Sequence, residues 1–207
     1  MPSNSRKLHW EEVYQTKPLE SVGWYQPKPE TSLSLISRLE LSSDAAIIDV
    51  GGGDSLLTDH LLNLGFEDLS VLDISAAALR RAKKRLGIRS GEVHWLESDI
   101  LDFEPVRSYA LWHDRATFHF LTHPVQIKKY LEIARKAIPH EGFLILGAFS
   151  DKGPPTCSGL PVQRYSILEL QRVLAPHFDL VHGLNLDHIT PSGSVQAYTF
   201  GLFQGRG

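Results

Sequence analysis

Residues 46–73 constrain the fold of this chain more than any other stretch. Ile47-Ile48-Asp49-Val50 is apolar except for one acid, Gly51-Gly52-Gly53 follows at once, and a helical pattern begins near Asp54-Ser55. A second apolar run, Leu69-Ser70-Val71-Leu72-Asp73, ends in another acid 24 residues after Asp49. Nearly unbroken apolar strands are expected where both faces of a parallel sheet are covered by helices. A glycine-dense strand-to-helix turn, with an acid closing the next strand, is the layout of a nucleotide-type cofactor site at the edge of such a sheet.

The rest of the chain continues the alternation. Strand patterns are read at 46–50, 69–73, 92–96, 109–113 and 142–149, and helical ones at 31–39, from 54 or 55 to about 64, at 75–86, 123–137 and 166–174. Ser75 suits the N-cap of one helix, and Pro124 sits at the first turn of another, where its missing N–H costs little. A short helix over 8–15 precedes them, followed by the breakers Pro18, Gly23, Pro27 and Pro29. The segment 151–161, with two glycines and three prolines, is a loop. Two late strands, 178–186 and 195–204, joined by a turn at Pro191-Ser192-Gly193, suggest an antiparallel pair on the sheet edge. Strands alternating with helices predict a doubly wound α/β sheet with right-handed crossovers.

Bulk properties exclude several classes of function. A formal net charge of −3 gives no reason to expect nucleic acid or an anionic membrane as a partner. The single cysteine, Cys157, rules out an internal disulfide and any multi-cysteine metal site. No apolar stretch approaches the roughly 20 residues that span a bilayer, and residues 1–7 are polar, so a cytoplasmic monomer or weak dimer is expected. Only His119 and His123 stand four apart, and Pro124 puts a helix start between them, so no metal is expected.

The glycine turn narrows the cofactor. A dinucleotide site needs G-x-G-x-x-G, and Leu56 stands where the third glycine belongs, which argues against a nicotinamide oxidoreductase. A P-loop needs Gly-Lys-Ser/Thr, which is absent. Asp49, Gly51, Gly53 and Ser55 form acid-x-G-x-G-x-small, which resembles the first motif of class I S-adenosylmethionine-dependent methyltransferases. Asp73-Ile74-Ser75 and Glu97-Ser98-Asp99-Ile100 extend the resemblance to about residues 8–150. His9-Trp10-Glu11-Glu12-Val13-Tyr14, Gly23-Trp24-Tyr25 and Asp114-Arg115-Ala116-Thr117 are similar to a group that includes elongation-factor lysine methyltransferases. His9 departs from that group's usual tyrosine, Phe118-His119-Phe120-Leu121 differs from its eukaryotic members, and the last third of the chain does not match it.

The resemblance implies a three-layer α/β/α Rossmann-like domain over 1–207: a mostly parallel seven-stranded sheet with a C-terminal antiparallel hairpin. Within it are an N-terminal helical lid (1–40), a cofactor core (41–150), and a substrate loop and hairpin (151–207). It implies S-adenosyl-L-methionine as cofactor and S-adenosyl-L-homocysteine as product. Gly51, Gly52 and Gly53 would let the backbone approach the methionyl part, Asp73 would take the ribose, and Asp99 and Ile100 the adenine, with Asp49, Ser55 and Ile74 also binding the cofactor. His113 would line the methionyl end, and Trp10, Tyr14, Trp24 and Tyr25 would close over the cofactor from the lid. His113, Asp114 and His119 are candidates to hold a proton during transfer. Arg115, Cys157, Arg164 and Tyr165 are candidates for the acceptor wall, with His188, Thr190 and Gln196 nearby on the late hairpin. The expected function is methyl transfer to a small molecule or a protein, with a protein lysine as the specific alternative and a non-catalytic cofactor-binding scaffold as the remote one.

Overall fold

The computed structural model describes residues 3–206, so the first two residues of the expected lid lie outside the described residues. In chain order the elements are α1 (Ser3–Thr16), α2 (Glu30–Ser37), β1 (Ile47–Val50), α3 (Leu57–Asn63), β2 (Leu69–Asp73), α4 (Ala76–Leu86), β3 (Val93–Glu97) and β4 (Leu111–Arg115). Then follow α5 (Pro124–Ala137), β5 (Phe143–Phe149), the two-residue strands β6 (Thr156–Cys157) and β7 (Leu160–Pro161), α6 (Ile167–Leu174), β8 (Phe178–Ile189) and β9 (Val195–Gly205). Seven strands form one sheet in the order β3-β2-β1-β4-β5-β9-β8, with β9 antiparallel to both neighbours and the rest parallel. This is the expected mostly parallel sheet ending in an antiparallel pair.

The period-2 alternation inside the strands builds two cores. Ile48, Val50, Trp112, Leu144 and Leu146 face α5 and α6, meeting Tyr130, Ala134, Leu170 and Leu174. Ile47, Leu69, Val71, Leu111 and Ile145 face the other way, meeting Leu35 and Ile36 of α2 and Leu57 and Leu61 of α3. Strands buried on both faces therefore carry no polar alternation, as their sequences foretold. Among the described residues no helix is long and apolar enough to cross a membrane.

Element ends shift for local reasons. Neither Asp54 nor Ser55 is the N-cap of α3; Leu56 is, and the Ser55 hydroxyl instead accepts from the Leu57 amide at 3.1 Å. Asp54 is drawn off by Arg81 (2.8 Å) and Arg85 of α4. Ser75 caps α4 as expected, accepting from the Ala78 amide at 3.1 Å, and Pro124 opens α5. The first helix is longer than the 8–15 pattern suggested, because its ends are held by tertiary contacts. The proline-rich 151–161 loop contains the small β6–β7 hairpin, paired at Cys157 and Leu160.

Candidate active site

Strand order reverses between β1 and β4, the switch point at which ligands bind in doubly wound sheets. A cleft opens there, over the carboxyl ends of β1, β2, β3 and β4, where small-molecule sites form in such sheets. Its floor is the glycine turn. Gly51 has φ +65°, and a Cβ there would lie 1.7 Å from the Thr117 hydroxyl, which in turn bonds the Val50 carbonyl at 3.2 Å. Gly53 has φ +47°, and its Cβ would meet the Asp73 carboxylate and the Tyr14 hydroxyl, each at 2.8 Å. Both positions need glycine for conformation and for space.

Asp73 is 6% exposed. Its Oδ1 accepts from the Ser75 amide at 2.8 Å, and its Oδ2 faces the glycine turn. Burial pushes its carboxyl up to about 7, against the pull of the Ser75 amide. Asp99, 26 residues further on, is also buried; it accepts from the Leu101 amide at 3.0 Å, and Arg6 of α1 reaches it at 2.6 Å. Ile74 and Ile100 line the same cleft.

A second, smaller cavity lies deeper, lined by Tyr25, Gln26, Ser32, Asp49, Ser55 and His113 among others. Here three buried side chains form a relay. The His113 Nδ1–H donates to Asp49 Oδ1 at 2.7 Å, and its Nε2 pairs with the Ser32 hydroxyl at 2.9 Å. Asp49 Oδ2 is buried with no hydrogen-bond partner among the described residues, so one carboxylate oxygen is left to take a donor from the cavity. Both ring nitrogens of His113 are engaged, which leaves it a positioning role.

The roof is aromatic. Trp10 and Tyr14 lie one turn apart on α1, Trp24 packs against both at 5.8 and 6.2 Å between centroids, and Phe120, just after β4, meets Trp10 at 5.2 Å. α1 is held across the cleft at both ends. Arg81 of α4 donates to the Tyr14 and Lys17 carbonyls at 2.9 and 2.7 Å, and Glu11 accepts from the Ala77 amide at the N-terminus of α4.

The acceptor candidates separate into two groups. Arg115 and Cys157 line the cleft. Burial pushes the Cys157 thiol up to about 12, so it is an apolar wall residue with little thiolate. The others fall outside either cavity. Asp114 is fully buried below the edge of the sheet, accepting from the Tyr130 hydroxyl at 2.7 Å and from the Thr117 and Phe118 amides. It pins the turn after β4, in which Ala116 takes φ +69°. His119 is fully buried against Phe149 and Phe120, and burial pushes it down to about 3, so it stays neutral. Arg164 is exposed and donates to the Asp151 and Gly153 carbonyls. Tyr165 packs on Phe118, 5.4 Å between rings. His188 donates to the Gly23 carbonyl at 2.8 Å, and Thr190 accepts from the Ser194 amide at 3.0 Å within the β8–β9 turn. His119 lies in a 3-10 turn and His123 is the N-cap of α5, so they share no helix face. Arg6, Ser32 and Phe120 join the site without any motif; only their neighbours in space mark them.

A family profile described as a methyltransferase domain matches residues 47–142. The chain is similar to the eEF1A lysine and N-terminal methyltransferase of Mus musculus, 25% identical over 124 residues that make up 56% of this chain and 17% of that one. It is also similar to the malonyl-[acyl-carrier protein] O-methyltransferase of Anoxybacillus flavithermus, 32% identical over 108 residues, 51% of this chain and 39% of that one. The chain thus spans well under half the length of these curated relatives. Among solved structures, the Burkholderia thailandensis 1,6-didemethyltoxoflavin-N1-methyltransferase, with bound 1,6-didemethyltoxoflavin and S-adenosylhomocysteine, superposes with a TM-score of 0.71. It is 16% identical, with 99% of this chain and 85% of that one covered.

Proposed function

We propose that this chain, which has a class I methyltransferase fold and matches a methyltransferase domain over residues 47–142, transfers a methyl group from S-adenosylmethionine to an acceptor enclosed under its aromatic roof. The observation that carries the reading is the pairing of Asp73 with the glycine turn. A carboxylate oxygen faces a backbone from which every Cβ is excluded, so a ribose can lie against the turn and offer both hydroxyls to Asp73. The unpartnered Asp49 Oδ2 supports the same group, since a cationic amino donor fits a buried acceptor.

When bound, S-adenosylmethionine supplies a methyl on a sulfonium: the acceptor's lone pair forms the new bond to carbon as the carbon–sulfur pair leaves with sulfur, giving S-adenosylhomocysteine. What the chain contributes is position. Thr117 and Asp114 lock the turn after β4, the Asp49–His113–Ser32 relay fixes the deep end, and Trp10, Trp24 and Phe120 exclude water at the top. Among the described residues, none lining the cleft stands as a free general base beside Arg115 and Cys157, which suits an acceptor whose nucleophile is already unprotonated or loses its proton to solvent. The aromatic enclosure favours a small acceptor over a protein side chain. The reduced, buried Cys157 fits a cytoplasmic setting.

Calorimetry with S-adenosylhomocysteine tests the reading. Binding in the micromolar range is expected, weakened at least tenfold in Asp73→Asn, which keeps the size of the side chain. No binding to the unaltered protein would sink the proposal.

A further inference from the structure

Arg115 ends β4, and its side chain reaches both the Trp24 backbone and β9. Its Nη1 donates to the Trp24 carbonyl at 2.9 Å, and its Cζ sits 5.3 Å from the centre of the Tyr198 ring on β9, two strands beyond β4. Its Nη2 is buried with no hydrogen-bond partner, and among the described residues no carboxylate pairs with it. The other arginine in the cleft, Arg6, is committed to Asp99. The charge of Arg115 is felt by everything around it: it opposes protonation of His119 and His188 and draws the Cys157 thiol and Tyr198 phenol down against their burial. A half-buried guanidinium with one nitrogen shut off from water and no counter-ion among the described residues is unfavourable, and it is the side chain best shaped to take a carboxylate through two parallel hydrogen bonds.

We infer that the methyl acceptor is a small monoanion whose carboxylate is anchored by Arg115, with the rest of the molecule under Trp10, Trp24 and Phe120. The inference rests on the methyl-transfer reading. One uncompensated positive charge matches a monoanion. It also sets a like charge against a lysine ammonium, which counts against the lysine alternative. The anchored carboxylate is distinct from the nucleophile, so the transfer itself is unchanged. Arg115 also lines the smaller cavity, so the rival occupant of its free N–H groups is the carboxylate of the cofactor itself. Its contact with Tyr198, on β9 rather than β1, favours the acceptor.

The probes are benzoate and its neutral isostere benzamide, titrated into protein saturated with S-adenosylhomocysteine. Benzoate should bind at least tenfold more tightly than benzamide. That preference should vanish in Arg115→Gln and shrink in Arg115→Lys, which keeps the charge but loses the fork. Equal binding of the two probes, or benzoate preference surviving in Arg115→Gln, overturns the inference. Should Arg115→Gln fail to fold, the wild-type comparison and Arg115→Lys decide it. A parallel titration compares S-adenosylhomocysteine with 5′-methylthioadenosine, which has no carboxylate. If Arg115→Gln weakens only the former, the anion is the cofactor's and the inference falls. Loss of S-adenosylhomocysteine binding by the unaltered protein is read first, and it removes the methyl-transfer premise itself.

Discussion

The ribose-binding role proposed for Asp73 and its burial pull its carboxyl in opposite directions. Accepting both hydroxyls of a ribose requires the carboxylate, while burial favours the acid and raises the group to about 7. A carboxyl raised on folding contributes stability that is full below its unfolded value near 4 and is lost as pH rises through 7. Binding that needs the ionised form has the opposite sign. Below pH 7 the cofactor must expel a proton, so S-adenosylhomocysteine affinity is expected to fall about tenfold per pH unit below 7 and to be flat above it. Calorimetry in buffers of differing ionisation enthalpy should show close to one proton released at pH 6 and close to none at pH 8. PH-independent affinity would mean that Asp73 is not the ribose acceptor. Asp114 and His119 show the limit of reading residues from their types. Each stands in a motif beside the site, and each is fully buried and occupied with holding the backbone or the core.

At the scale of elements, α1 decides access to the cleft. It is pinned to α4 through Arg81 and Glu11 and to the end of β3 through Arg6 and Lys7. The Arg6 pair occupies the carboxylate that the sequence assigns to the adenine amino group. If Asp99 takes that group, Arg6 must give way, and the energy of a largely buried ion pair, less its desolvation cost, is set against cofactor binding. Arg6→Ala is therefore expected to tighten S-adenosylhomocysteine binding by roughly two- to tenfold, read by calorimetry or by quenching of Trp10 and Trp24 fluorescence. Weaker binding would instead make Arg6 part of the adenine wall. The periodicity of residues 8–15 marked a helix, but its length and its role as a roof depend on partners more than 60 residues away.

At the scale of the whole molecule, the two-faced core and the packing under α1 bury ionisable groups in neutral form. Tyr14, Tyr130, Tyr165, Tyr198 and Cys157 are all raised by burial, Tyr198 and Cys157 to about 12. A raised group holds its stabilisation below its unfolded value and loses it above, so the penalty opens near pH 9 for the thiol and near pH 10 for the phenols. Each group can contribute up to about 1.4 kcal/mol per pH unit, and the melting temperature is expected to drop steeply beyond pH 10. Tyrosinate absorbance should rise together with unfolding; phenols ionising in the folded protein before it melts would contradict their burial. What the sequence alone determined was local and periodic: parallel strands from unbroken apolar runs, α4 and α5 from Ser75 and Pro124, and a cofactor turn from glycines flanked by acids. These depend on neighbours in the chain. The tertiary structure alone decided which polar residues face the cleft. It joined Asp49, His113 and Ser32, buried Asp114 and His119, and left Arg115 without a counter-ion among the described residues, because those outcomes depend on which strands lie side by side and on what covers their ends.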